Sequence, residues 1–385
     1  MLCSGLQFFT EVSDMVLYIW KYRWTGERGE FTRIAVIDNA CSVIWVRRFQ
    51  TAGEFEVYVP ASKTLLQTVR QNELFITREN DLANAMKIQK VELSTDPDEG
   101  DYLTITGKSA ACIIGQRIVR NLRNVNGTVP DCIYNLLMDE CIDPDMRKDY
   151  NRWRKLAILQ FRKTDLPDVG NFTMQYYGNN LLEVIEDMCA VGGIGYKVEF
   201  TGSGFVFSLY AGVDRTVGQS ENERVIFSED FENLGQCTYT YDNTDYCNAV
   251  MATGATNGTT KVSMYWFNRE ECVDQKELCY YEAPTDASGL SGTTDGGGLS
   301  LDEFNDKLKQ LCKIHLAKAK LQDDLNADVF QTNTGHYDLG DRVSIVNRYG
   351  ITGSVWRQLC IDHKRHDSHN RHRKGMAQGA LFHQQ

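Results

Sequence analysis

"GHYDLGDRVSIVNRYGITG", running from Gly335 to Gly353, holds two aspartates three apart, a histidine, a short apolar run and a turn. Its reading decides between a catalytic site and the closing hairpin of a β-domain. Carboxylates serve a calcium ion or an acid–base pair. The same "DLGD" with Gly340 is also a common entry into a strand, where the aspartates accept from backbone amides. Calcium takes roughly six to eight oxygen ligands, and two acids fall far short of that. Asp338 and Asp341 therefore read as a turn, and Asp242 and Asp245 in "DNTD" read the same way. "RVSIV" and "ITGSV" then flank "NRYG" as the last hairpin of a barrel, with Val343 and Ile345 facing inward.

Strands dominate the other end of the chain as well. "VLYIW", "RIAVID", "SVIWVRRF", "EFEVYVP", "LFITRE", "MKIQKVEL" and "DYLTITGKS" follow one another within the first 120 residues. Phe55, Val57 and Val59 alternate with Glu54, Glu56 and Tyr58, which means one buried and one exposed face. "DPDEGDY" at 96–102 is a hairpin tip. Many short strands at this spacing predict a barrel or sandwich over residues 15–120. Residues 1–14 lack the basic start of a secretion signal, and Gln7 and Glu11 interrupt their apolar run. They read as an extension upstream of Met15.

Between 121 and 215 the period changes to α+β. Thr128 caps a helix whose stripe is Ile133, Leu136, Leu137 and Cys141, with Pro130 in the first turn. "DYNRWRKLAIL" is a helix or a loop. Asn180 caps a helix with Leu181, Val184, Ile185 and Met188 on one side, stopped by Gly192 and Gly193. "YKVEFTGSGFVFSLY" predicts a hairpin, with Tyr196, Val198 and Phe200 answered by Phe205, Phe207 and Leu209. A second β-rich region occupies 216–355. It carries a flexible insertion at 284–300 and a helix over 301–322, opened by a Ser300–Glu303 capping box and striped by Leu301, Phe304, Leu308, Leu311, Cys312 and His315.

Composition narrows the function. The 385 residues carry a formal net charge of −11, which argues against a general nucleic-acid binder. No window approaches the roughly 20 apolar residues of a membrane span. The 12 cysteines show neither CxxC pairs nor zinc spacing, and Cys112, Cys189 and Cys312 sit at apolar positions, as small core residues of a reducing compartment do. No GxSxG, HExxH or P-loop pattern is present, and "GGIG" at 192–195 is a helix stop. Five of the 7 histidines follow residue 362. His315 lies on a helix stripe, which leaves His336 as the remaining candidate for a nucleophile–base system. His363, His366, His369 and His372 are three apart and could chelate a metal, but no apolar residues hold them, so 356–385 reads as a basic, His-rich tail. The residues therefore assign no catalytic, cofactor-binding or metal site.

The order of segments resembles a known family. "LYIWKYRWTGERGEFTRIAVIDNACSVIWVRRFQTAGEFEVYVPAS" resembles the opening of tail hub proteins of long-tailed, siphovirus-type phages and prophages from Gram-positive bacteria. "FITREND", "MKIQKVEL", "DYLTITGKSAACIIGQRIV", "VIFSEDFENLGQCTYTYDNTDYCNAVMATG" and "GHYDLGDRVSIVNRYGIT" continue in that family's order, over roughly 15–355. The resemblance implies a β-rich α+β fold: two tail-tube-like β-barrels with an α/β domain between or beside them. It implies a non-enzymatic hub at the distal end of the tail tube, enclosing the DNA channel. Its partners would be further copies of itself in a homotrimer, distal tail and tail-tip or receptor-binding proteins, and the tape-measure protein. It would bind no specific nucleic acid, insert in no membrane, assemble in the bacterial host cytoplasm and reside in the virion. An acidic balance suits such a conduit, because like charge keeps passing DNA from sticking.

One departure stands out. Members of the family usually add a β-strand after "YGIT", whereas "SVWRQLCIDHKRHDSHNRHRKGMAQGALFHQQ" abandons alternation. A shifted frame near 354–363 or a recombined end would do this, leaving the second barrel without its last strand. The chain also ends before a C-terminal hydrolase of the kind some relatives carry. Two other classes remain open: a tail-associated cell-wall hydrolase with paired carboxylates, and a carbohydrate-binding module using the many Tyr and Trp residues.

Overall fold

The structure is a computed structural model. It describes residues 15–24, 29–98, 100–145, 154–167, 169–256, 260–267, 277–282, 301–319, 322–329, 337–349, 352–364 and 377–383. The first region contains β1 (Leu17–Trp24), β2 (Gly29–Ile37), β3 (Ser42–Arg48), β4 (Glu54–Pro60), α1 (Lys63–Val69), β5 (Leu74–Arg78), β6 (Asp81–Asp96) and β7 (Gly100–Ser109). The middle contains β8 (Arg123–Thr128), α2 (Val129–Leu137), β9 (Leu159–Arg162), β10 (Asn171–Tyr176), α3 (Leu181–Gly192), β11 (Gly195–Phe200) and β12 (Phe205–Tyr210). The last part contains β13 (Ile226–Ser228), β14 (Leu234–Asp242), β15 (Ala249–Thr256), β16 (Thr260–Phe267), β17 (Glu277–Glu282), α4 (Leu301–Lys318), β18 (Gln322–Val329), β19 (Arg342–Val346), β20 (Thr352–Lys364) and β21 (Ala377–His383).

The chain is a β-rich α+β protein built on one large sheet. Its order is β14-β18-β21-β20-β3-β4-β7-β6-β5-β1-β2, with β13 and β19 attached beside β20, giving 13 strands. Alternation in the sequence explains the first region well. Phe55, Val57 and Val59 of β4 are buried while Glu54, Glu56 and Tyr58 lie nearer the surface. Leu17, Ile19, Trp45, Val57, Ile76 and Ile105, drawn from five strands, converge on one fully buried core. Each such side chain contributes about 1.5–3 kcal/mol by leaving water.

No closed barrel forms among the described residues: the path stays open between β14 and β2. Strand spacing predicts how many strands there are, but not whether the outermost two meet. Both β regions instead share the sheet, because β20 pairs β3 from Gln358↔Arg48 to Lys364↔Ser42.

That pairing corrects the expectation that strand structure fails just after 355. β20 continues to Lys364, and β21 pairs it from Val355↔His383 to Asp362↔Ala377. A boundary at 355 would cut β20 in two. The ladders are made by backbone groups, which every residue type carries, so missing side-chain alternation does not exclude a strand there.

The middle unit follows its caps. The Thr128 hydroxyl accepts from Asp131 N, and the Asn180 side chain accepts from Leu182 N and Glu183 N. Gly193, at φ 65°, ends α3. β11 and β12 pair as the sequence predicts, with Tyr196↔Leu209, Val198↔Phe207 and Phe200↔Phe205. The parallel pairing of β12 with β9 was not predicted.

α4 also departs from expectation. It stops at Lys318 rather than 322, its last turn closed by Ala319 N donating to His315 O at 2.8 Å. It packs on α3, β10 and β15, and Leu308, Leu311 and Cys312 enter the middle unit's core beside Ile133 and Ile185. The apolar stripe showed that α4 would be buried, but not against which neighbour. The connector 284–300, with the Ser300 half of the capping box, and the segment 1–14 lie outside the described residues.

Candidate functional site

Three parts of the chain meet at the turn quoted first. Asp341 is 5% exposed and takes three donors: Val213 N at 2.8 Å on Oδ1, and Arg215 Nε at 2.8 Å and Asp338 N at 3.0 Å on Oδ2. Arg342 N donates to Val213 O at 2.9 Å, and Arg215 N donates to Arg342 O at 2.8 Å. One carboxylate thus fixes both the turn and the segment that follows β12.

Asp338 faces the other way. Its Oδ2 pairs with Lys197 Nζ of β11, and its Oδ1 lies 3.3 Å from Arg47 Nη2 of β3. Leu339 N adds a hydrogen bond to Oδ1 at 2.8 Å. Burial pushes the Asp338 carboxyl up, but Arg47, Lys197 and the Leu339 amide outweigh it and hold it below the usual carboxylate range. The Lys197 ammonium also sits 4.2 Å from the Tyr210 ring centroid.

Phe49 is the apolar centre of this joint. Its ring meets Tyr210 edge-on with centroids 5.3 Å apart. A β-carbon on Gly195 would approach Phe49 Cδ2 to 2.3 Å, and one on Gly340 would approach Cε2 to 2.2 Å. A β-carbon on Gly212 would meet Gly340 O at 1.7 Å. Gly195 and Gly340 therefore give the backbone room to close on one ring, and Gly212 lets the segment after β12 close on the turn. Next to it, Gln50 Nε2 donates to Cys189 O and Ile194 O, each at 3.2 Å. Glu186 Oε1 accepts from Ala52 N at 2.8 Å and Tyr196 OH at 2.9 Å, and burial raises its carboxyl above the usual range.

The cleft beside this joint holds about 50 Å³ and is lined by Arg47, Arg48, Asn84, Tyr196, Lys197 and Tyr210 among others. Ligand pockets run from roughly 300 Å³ upward, so this one accommodates water rather than a glycan or peptide. Arg47 and Lys197 are committed to Asp338, and Arg48 to Glu54 at 2.5 Å. The arrangement is that of a joint between β3, the β11–β12 hairpin and β19.

The other sequence candidates fall apart in space. Asp242 accepts from Thr244 N at 2.8 Å, and hydrogen bonds from the Thr244 side chain and backbone hold its carboxyl low. Asp245 is exposed in the same turn. His315 is half-buried on α4. His363 lies on β20 opposite Val43, while His336, His366, His369 and His372 lie outside the described residues. Among the described residues, no group of three or more His, Cys, Asp or Glu could hold a metal. Cys112 and Cys189 are buried, and Cys312 donates to Val250 O at 3.3 Å. Burial pushes the Cys112 thiol up to about 11, away from reactivity. Among the described residues, no helix is long and apolar enough to cross a membrane.

Sequence reading missed Arg47, Phe49, Lys197, Tyr210 and Arg215. Each lies more than 120 residues from Asp338 or Asp341, and nothing in their local pattern marks them.

With this geometry in hand, the chain was compared with known proteins. A family model described as Siphovirus ReqiPepy6 Gp37-like protein matches residues 17–358. No curated protein matches. Among solved structures, the tail protein from Neisseria meningitidis MC58 superposes with a TM-score of 0.54 at 13% identity, covering 97% of this chain and 97% of that one. The 43 kDa tail protein of prophage MuSo2 from Shewanella oneidensis gives a TM-score of 0.52 at 9% identity, covering 95% of this chain and 98% of that one. At these identities the likeness establishes a shared fold.

Proposed function

The chain belongs to the Siphovirus ReqiPepy6 Gp37-like family, and from that premise we propose that it is a structural phage tail protein. Its place is the hub at the distal end of the tail tube, where a homotrimer joins the tube to tip or receptor-binding proteins and encloses the DNA channel. Distal tail and tape-measure proteins are its further partners. In the assembled ring its two β regions act as two tube-like barrels, flanked by the α+β unit at 121–215. The host is a Gram-positive bacterium, and assembly takes place in its cytoplasm before the protein enters the virion.

One observation carries this reading. The polar constellation around Asp338 and Asp341 is spent on holding three segments together, and the cleft beside it is water-sized. Such a joint supports a protein that works by positioning surfaces. The fold it shares with two tail proteins supports the same conclusion. The formal charge of −11 favours passage of DNA over its retention.

Induced virions provide the test. Antibody-gold labelling is expected at the tail tip, with about as many copies per virion as one trimer supplies. Label along the whole tube, on the capsid, or nowhere would overturn the placement. Cell-wall zymography of the purified chain is expected to show no lysis.

A further inference from the structure

β8 and β10 form a two-stranded ribbon whose faces differ in kind. Val125, Phe172, Met174 and Tyr176 are buried in the middle unit's core. The opposite face is built from cross-strand pairs: Thr128 opposite Asn171, Asn126 opposite Thr173, and Asn124 opposite Gln175. Residues directly opposite each other share a face, so these six side chains make one strip. Asn124, Asn126, Thr128 and Asn171 are exposed, and Thr173 and Gln175 are half-buried. Leu122, just before β8, and Tyr177, just after β10, continue the same alternation and are 47% and 63% exposed. From Thr128 to Leu122 the strip runs about 20 Å at the ordinary rise of a strand.

The strip is pinned in place. Gln175 Nε2 donates to Asn124 Oδ1 at 2.9 Å, and Thr173 Oγ1 donates to Asn126 Oδ1 at 3.3 Å. Both bonds fall on the amide oxygens, so the N–H groups of Asn124 and Asn126 remain as donors on an exposed face. Beneath the Tyr177 ring the backbone is fixed: Tyr177 N donates to Asn179 Oδ1 at 3.1 Å, and Gly178 N donates to Val119 O at 2.7 Å. Thr128 is committed to capping α2, its hydroxyl 2.7 Å from Asp131 Oδ2. β8 and β10 hold a single charged residue, Arg123, and it pairs with Asp139 and Glu140.

These features select the occupant. In a chain with 24% charged residues, the eight outward positions carry none. A nucleic acid or an acidic peptide needs cations, which the strip does not offer. An amphipathic helix needs a continuous apolar groove, and only the Leu122–Tyr177 end is apolar. A neutral saccharide needs amide and hydroxyl groups in a fixed array, with an aromatic face against which the C–H groups of a sugar ring lie. We propose that the outward face of β8 and β10 binds a neutral saccharide chain, with Asn124 and Asn126 donating to its hydroxyls and Tyr177 stacking on one ring. The cross-strand bonds set the amides beforehand, so little side-chain freedom is lost on binding. This goes beyond the tail reading and does not depend on it.

The test applies the full chain, labelled at its N-terminal amine, to an array of immobilised neutral glycans (glucans, galactans, rhamnans and N-acetylglucosamine oligomers) beside anionic ones. Binding to at least one neutral glycan is expected, with competition by the same glycan in solution. Tyr177→Ala is expected to weaken it about tenfold, and Tyr177→Phe, which keeps the ring, to bind as wild type. Asn124→Asp with Asn126→Asp keeps the oxygens that Gln175 and Thr173 bond but removes the donors, and is also expected to weaken binding about tenfold. All three positions are exposed, so circular dichroism and melting temperature should match wild type. No binding to any neutral glycan, binding to anionic glycans alone, or neutral-glycan binding that survives both Tyr177→Ala and the paired aspartates would each overturn the proposal.

Discussion

At φ +94°, Gly340 places its α-carbon where a methyl group would press into the Phe49 ring. Gly178 has a similar backbone, φ +76°, but open space where its β-carbon would be. The two separate backbone strain from packing. Gly178→Ala should cost only the conformational part, about 1 kcal/mol. Gly340→Ala should cost that and displace Phe49 as well, for a total of roughly 3 kcal/mol by the scale of core overpacking. Urea unfolding of both variants checks this, and equal losses would show that Phe49 yields freely. Asp338 makes a pH-dependent contribution. Its folded pKa lies below the ordinary carboxylate value, so its stabilisation is present above about pH 4 and is lost as pH falls through the folded pKa. Glu186, raised by burial, acts in the opposite sense. The informative quantity is therefore the difference between wild type and Asp338→Asn, in which Glu186 cancels. That difference should be largest near neutrality, shrink toward zero on acidification, and weaken with salt because the Asp338 side chain is 42% exposed. A difference that stays constant from pH 7 to acid would mean that the carboxylate charge contributes nothing.

Elements whose cause is local could be read in the sequence. Asn180 and Thr128 cap their helices because a side-chain oxygen reaches amides two or three residues away, and the sequence contains both partners. The β11–β12 hairpin is set by alternation on both sides of a glycine turn, and its register came out residue by residue. Val343 and Ile345 are fully buried, as the hairpin reading required. Elements whose cause is distant could not be read. β20 looks like a polar tail by composition, yet β3 and β21 flank it, from positions about 300 residues upstream and some 20 downstream. α4 shows its stripe but not that α3 and β15 are the surfaces it covers. The joint is the extreme case: Asp338 reads as a turn former, and its two cations stand 291 and 141 residues away. Pattern reports what a residue does within one turn or one strand, and the partners come from topology.

For the whole molecule, the consequence of β20 is mechanical coupling. The first region has a core of its own, but Phe75 and Ala85 belong to the middle unit's core and Trp20 and Phe31 pack on it against Phe200, while Phe49, Phe227, Leu234, Leu339, Val343 and Ile345 form a small separate cluster. What ties the last β region to these two is the ladder of β20 on β3 together with the joint at Asp338 and Phe49. Removing residues 353–385 would strip β3 of that neighbour and β18 of β21, while leaving the core of the first region intact. Such a chain should therefore melt at a lower temperature and less cooperatively than the full chain, since cooperativity follows the contacts that cross between units. The newly bared edges of β3 and β18 should also make it aggregate, and adding lysines on β3 should relieve that without restoring the coupling. Calorimetry with light scattering reads both effects. A single unshifted transition in the truncated chain would show that the aromatic seam from Phe31 and Phe75 to Phe200 and Phe205 and the joint unite the molecule without β20.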